Sequence, residues 1–199
     1  MGRTQSFDTD QVVRSARAVF WDRGFEEASL PELEAATGLG RSSLYHAFGS
    51  KRGLFDAAVQ SYLDEIVRPR LAPLTRDEVS PTALADYFSG LRNALADPRT
   101  VSAQSGCLLL NAAGAPIARD DAVREVIAEY RAELQRAMLA GAAARWPGES
   151  AEWRGRQAGV LVSLLVTSLV LARVDPGQAV ATAEAALGLV RGGLTAPGW

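Results

Sequence analysis

The chain has 199 residues, 48% hydrophobic and 22% charged, with a formal net charge of −2. That composition belongs to a globular protein able to bury a core, as one domain or as a small domain joined to a larger one. It excludes a chain that grips nucleic acid by overall charge, so any such contact needs a local basic face.

The polar start, MGRTQSFDTD, lacks the apolar region of a signal peptide, and Arg3 sits on it as an arm or a tail. Beyond it no stretch alternates with period two. Apolar residues recur at three and four, which predicts an all-α fold. The first helix runs from about Asp8 to Arg23, burying Val12, Val13, Ala16, Val19 and Phe20; Asp8 or Thr9 caps it and Gly24 ends it. Ser29-Leu30-Pro31-Glu32 reads as a capping box that opens a short second helix, about Leu30 to Thr37, broken by Gly38. A third helix follows from Arg41 to Ala47 and ends at Gly49. Ser50 caps a fourth from Lys51 to about Arg68, which Pro69 and Pro73 stop.

The rest of the chain is helical too. Ser80-Pro81 opens a helix to about Ala96, another covers Ser105 to Ala113, and a long one runs from about Asp120 to Arg145. Trp146-Pro147-Gly148 turns the chain into a helix over Glu152 to Val174, and Asp175-Pro176-Gly177 into the last, Gln178 to Arg191. This gives about nine helices: a three-helix head over residues 1–53 and a larger helical body over 54–199, the boundary falling within the fourth helix.

Two short helices joined by a tight glycine turn are a helix-turn-helix signature. Leu33 and Leu39 flank the turn and Leu44 anchors the second helix, which leaves Arg41, Ser42, Ser43, Tyr45 and His46 on exposed faces. In such a motif the start of the second helix enters the major groove. Arginine can read guanine there, serine can bond base edges or phosphate, and tyrosine and histidine donors suit phosphate. Lys51, at the start of the fourth helix, would meet phosphate together with free backbone N–H groups.

The stretches AVFWDRGFEEASL and ELEAATGLGRSSLYHAFGSKRGLF, with their spacing, resemble the DNA-binding domain of the TetR family of bacterial transcriptional regulators over Val12 to Ala57. One departure is Glu34, where the family usually has a small alanine. Glu34 is expected to point outward, with Ala35 and Ala36 making the close helix contact. The resemblance implies a homodimer, a variable helical C-terminal domain and, in most members, a repressor released from its operator by a small molecule. Gly106 to Ala113 resembles a "GCLL-N-A" stretch of one branch of the family.

In the body, Tyr87, Phe88, Leu91, Cys107, Asn111, Tyr130, Leu134 and Trp153 are candidates for lining a ligand pocket. Cys107, the lone cysteine, excludes an intramolecular disulfide and fits a reducing cytosol. It reads as a small buried hydrophobe or as a redox thiol. With one histidine, itself in the head, no metal-ligand cluster and no cofactor site is expected. The run 158–172 is apolar nearly all round but short of a membrane span. With the small-residue last helix it suggests a four-helix dimer interface of Leu161, Leu164, Leu165, Ser168, Leu169, Ala181, Ala185 and Gly188.

The leading function is therefore a cytoplasmic, ligand-responsive repressor whose two heads read a pseudo-palindromic operator, with no membrane partner. An enzyme is the second class. No Cys–His or Ser–His–acid spacing and no glycine-rich phosphate loop supports it, and no catalytic residue is assigned. A helical interaction or membrane-surface protein is the third; its support is the 158–172 run, which lacks the basic face of an interfacial helix.

Overall fold

The computed structural model describes residues 7–192, so the Arg3 segment lies outside the described residues. Within them every regular element is helical. The head is α1 (Thr9–Glu27), α2 (Leu30–Thr37) and α3 (Arg41–Phe48). The Asp8 carboxylate accepts from the N–H groups of Asp10 and Gln11, which would otherwise be orphaned at the start of α1. At Gly24 a φ of 80° takes the backbone out of the helix where the sequence reading ends it, and one further turn leads to Ala28. Both halves of the Ser29–Glu32 capping box are present.

The fourth helix differs from expectation. Instead of stopping before Pro69, α4 (Lys51–Tyr62) passes through a π-helical turn, Leu63–Val67, into α5 (Arg68–Leu71). A proline ring clashes with the carbonyl four residues back and offers no N–H. Here that carbonyl, Glu65, lies inside the wider turn, so the axis continues as far as Leu71. A 3-10 turn, Ala72–Leu74, then ends it.

α6 (Ala83–Ala96) opens slightly later than Ser80-Pro81 suggests, because Ser80 Oγ accepts from the Thr82 N–H at 3.2 Å and holds a turn first. The single helix expected over Ser105 to Ala113 is instead α7 (Val101–Ser105) and α8 (Leu108–Ala113). Gly106 breaks them at φ 63°, ψ −121°, a conformation that L side chains avoid. The Leu169 backbone carbonyl also fills the space a Cβ at 106 would need. A 3-10 turn, Pro116–Arg119, leads into α9 (Asp121–Arg145), followed by α10 (Ala151–Leu171) and α11 (Pro176–Arg191). These three are N-capped by Asp120, Ser150 and Asp175. α10 packs between α9 and α11, and α11 packs on α6. By length and composition α10 could cross a bilayer, yet Ala158, Leu161, Val162 and Leu165 are buried in this fold.

A single hydrophobic core runs from Val12 in the head to Val190 in α11, so the boundary expected inside α4 is crossed by continuous packing. Trp21 is the seam. It is 4% exposed, its ring meets Tyr62 edge-on at 4.8 Å, and its indole N–H donates to the Gly106 carbonyl at 3.2 Å. Outside the core, Arg14 and Arg17 of α1 both pair with Glu65 in the π turn, each at 2.9 Å.

Candidate nucleic-acid interface and effector cavity

The head is built so that one face of α3 is left free. Leu33 and Leu44 are buried, and Gly38, at φ 70°, ψ 10°, turns the chain between their helices. With Leu44 held inward, Arg41, Ser42 and His46 are exposed and Ser43 and Tyr45 half-buried. The Arg41 guanidinium lies over the Tyr45 ring, 5.3 Å from its centroid. The N-cap of α3 is Gly40, which has no side chain to accept a bond. Glu34 supplies the acceptor from α2: its carboxylate takes the N–H of Arg41. This corrects the outward Glu34 of the sequence reading, and Ala35 and Ala36, expected to pack against α3, are exposed. A side chain long enough to reach the orphaned N–H is needed there, and alanine cannot reach it.

Lys51 is half-buried at the start of α4. Its Nζ donates to the Glu26 carbonyl at 3.3 Å and lies 4.8 Å above the Phe25 ring, so it also tethers the end of α1. The α4 start is pressed against the end of α3, where the Phe48 carbonyl takes the space of a Cβ at Gly53. Beside this surface the Glu32 carboxyl is held below the usual carboxylate range by the Ser29 backbone N–H, then the Ser29 hydroxyl, and less by Arg23 and Lys51.

In the body a cavity of about 380 Å³ opens among α4–α5, α6, α9 and α10. Four of the expected residues line it: Tyr87, Leu91, Tyr130 and Leu134. The other four do not. Phe88 faces the core, wholly buried behind Tyr87. Asn111 is a satisfied amide whose Nδ2 donates to the Ser105 carbonyl at 2.8 Å. Trp153 meets Trp146 edge-on at 5.1 Å in the turn joining α9 and α10. Cys107 stands behind the wall: Tyr62 Oη donates to its Sγ at 3.2 Å, and its thiol donates to Tyr130 Oη at 3.5 Å. Tyr62, Ile66, Val67 and Arg70, from α4 to α5, and Asp86 of α6 also line it and are absent from the residues expected from sequence. Burial, the dominant cause in each case, pushes the phenols of Tyr62, Tyr87 and Tyr130 well above the usual tyrosine range, so all three stay neutral near pH 7.

The interface candidates divide by face. Leu161, Leu165, Ser168 and Leu169 are buried within the chain itself, and Leu165 and Leu169 line the cavity, which corrects their assignment to an outer surface. Leu164 and Gly188 are half-buried and Ala181 and Ala185 exposed. The outward stripe of α10 is instead Val160, Ser163, Thr167 and Val170, continued by Val174 at 79% exposure. Among the described residues no group of three or more His, Cys, Asp or Glu side chains converges as a metal site.

A family model described as bacterial regulatory proteins, tetR family, matches residues 12–58. The HTH-type transcriptional repressor ComR of Escherichia coli K12 is 37% identical over 111 residues, 55% of this chain. That match spans 51% of the repressor, about half its length. YezE of Bacillus subtilis, an HTH-type transcriptional regulator, is 34% identical over 141 residues, 71% of each chain. A structure of a cysteine mutant of the TetR family transcriptional regulator CifR, complexed with 26bp double-strand operator DNA, superposes with a TM-score of 0.74 at 30% identity, covering 93% of this chain and 98% of that one. The E. coli NemR structure, at 19% identity and a TM-score of 0.73 over 92% of this chain and 94% of that one, shares the fold.

Proposed function

We infer the function from one premise: the chain belongs to the TetR family of bacterial regulatory proteins. It is a homodimeric DNA-binding transcriptional repressor of the cytoplasm, released from a pseudo-palindromic operator by a small molecule held in the body. The observation that carries this reading is the free polar face of α3, fixed from beneath by Leu44 and from its start by Glu34. Arg41, Ser42 and Ser43 face bases or nearby phosphates, and Tyr45, His46 and Lys51 grip the backbone. The acidic net charge is no obstacle, because the cations that matter are local.

Dimerisation uses the outward stripes of α10 and α11, where Ala181, Ala185 and Gly188 allow close helix approach and Val160, Val170 and Val174 supply apolar area. Two heads then meet successive major-groove faces about 34 Å apart. The effector acts by binding more tightly to a head spacing that does not fit the operator. The route is short: Tyr62 lines the cavity and packs on Trp21 of α1.

Fluorescence anisotropy with a duplex from the region upstream of its own gene tests this. The expected result is dimer binding whose log affinity falls linearly with log salt. Binding no stronger than to a scrambled duplex at every salt concentration would refute it.

A further inference from the structure

The cavity carries an asymmetry of charge that points to the chemistry of its occupant. Arg70 and Asp86 are its charged lining residues. Arg70 is an exposed residue at the cavity mouth, and its Nη1 donates at 3.2 Å to the hydroxyl of Ser102, itself 1% exposed, so one edge of the guanidinium is held against the body. Among the described residues no carboxylate lies within ion-pair distance of it, Asp86 included. Asp86 is exposed as well, and its Oδ2 accepts from Thr82 Oγ1 at 2.8 Å at the start of α6. Among the described residues each charge thus keeps a hydroxyl partner and no counter-charge, but it is Arg70, held to a buried hydroxyl, whose field reaches the phenols of the wall.

Tyr87 adds a second donor. Tyr62 donates its hydroxyl to Cys107 and Tyr130 accepts from that thiol, whereas the Tyr87 hydroxyl has no hydrogen-bond partner among the described residues, though its side chain lines the cavity. The Arg70 charge acts on the phenols of both Tyr62 and Tyr87, opposing part of the rise that burial causes, so all three groups share one field. The rest of the wall is apolar, with Leu91, Leu134, Leu165 and Leu169 facing in. A guanidinium offers a planar pair of donors that suits a carboxylate. A cavity of about 150 Å³ takes benzene, so about 380 Å³ holds a ring with a short chain.

We propose that the cavity binds a small aromatic or aliphatic monocarboxylate, its apolar body against the leucines and its carboxylate on the Arg70 guanidinium and the Tyr87 hydroxyl. This names the effector class and rests on the cavity being the effector site.

Calorimetry on the full chain with three matched probes, 4-phenylbutanoate, 4-phenylbutanamide and 4-phenylbutylamine, tests the proposal. The carboxylate should bind at least about tenfold more tightly than the amide, the scale of a charged hydrogen bond. Arg70→Met should abolish that preference while leaving amide binding in place, Arg70→Lys should restore part of it, and Tyr87→Phe should weaken it. Asp86→Asn should leave carboxylate affinity within about threefold. Amide binding by Arg70→Met reports that its cavity is intact, so loss of preference is not misfolding. Equal affinity for carboxylate and amide, tightest binding of the amine, or no binding of the carboxylate by the wild-type chain overturns the assignment. An operator-release assay separates the two readings. A carboxylate that binds through Arg70 without loosening the duplex keeps the site and refutes its role as effector site; absence of duplex binding under any condition refutes the repressor reading and leaves the calorimetry standing.

Discussion

Two glycines with nearly the same φ, Gly38 at 70° and Gly106 at 63°, should respond very differently to alanine. Gly38 is left-handed with ψ 10° and has nothing within 4 Å of an added Cβ. Alanine there bears only the left-handed conformation, about 1–2 kcal/mol. At Gly106, ψ −121° lies outside the left-handed helical region, and the methyl would collide with the Leu169 carbonyl oxygen of α10, with the Ala172 Cβ also 3.9 Å away. Backbone strain of about 1–3 kcal/mol and overpacking of similar size combine to roughly 3–5 kcal/mol. For a chain of this size each kcal/mol shifts Tm by about 2–4 °C. Gly106→Ala should therefore lower Tm by roughly 6–20 °C and Gly38→Ala by roughly 2–8 °C, read by circular dichroism on the full chain with urea unfolding as a second measure. Equal losses in the two variants would refute the reasoning, since the shared φ would then be the whole effect and the packing of α10 on Gly106 would contribute nothing.

Glu34→Ala should cost about 1 kcal/mol by uncapping α3 and should weaken operator binding. Glu34→Gln keeps an acceptor and removes a negative charge beside the phosphates, so its stability should stay near wild type while affinity for any duplex rises; equal destabilisation of the two variants in urea melts would remove the cap from the account. Lys51→Ala should weaken binding across sequences and reduce the salt slope by about one, whereas Arg41→Ala should relax base preference; selection from a random duplex pool that leaves the preference unchanged would move Arg41 to a phosphate. Acid should lower the stability of the folded chain progressively below the ordinary carboxylate range. Hydrogen bonds depress the carboxyls of Glu32, Asp64, Glu65, Asp97 and Asp120 in the folded state: from Ser29, Gln60, Arg17, Arg99 and Arg52 first, respectively. The unfolded chain then binds more protons, so the stability these groups supply is present above the unfolded pKa and lost as pH falls through the folded one. A urea midpoint that stays flat from pH 6 to the acid side of that range would contradict the sign.

The head was readable because its determinants are local. A capping box closes within three residues and a turn glycine acts where it stands, so Ser29, Glu32 and Gly38 announce α2 and the turn after it without help from elsewhere. Glu34 was not readable, because its partner is the backbone of Arg41 across the turn and any long acceptor could have served. In the body, Tyr87 and Leu91 sit one helical turn apart, as do Tyr130 and Leu134, and that spacing found these four of the residues lining the cavity. Tyr62 and Arg70 escaped because the π turn between them shifts the helical phase, and π turns leave no periodic trace in sequence. The apolar run of α10 failed differently. A helix hydrophobic on every side has no phase to read, so Leu161 and Val160 look equally fit to face a partner, and only the packing of α9 and α11 chooses between them.

The Trp21 seam limits how this chain can be cut and recombined. A head of residues 1–53 grafted onto a foreign body would bring a large indole that needs two things from its host: an aromatic edge where Tyr62 stands and a bare backbone carbonyl where Gly106 turns. A host without them would leave the ring in water and its N–H unanswered. The portable cassette is therefore a discontinuous one, the first three helices together with Tyr62 and the Gly106–Cys107 corner, and exchanges between such regulators should succeed or fail according to whether that set travels whole.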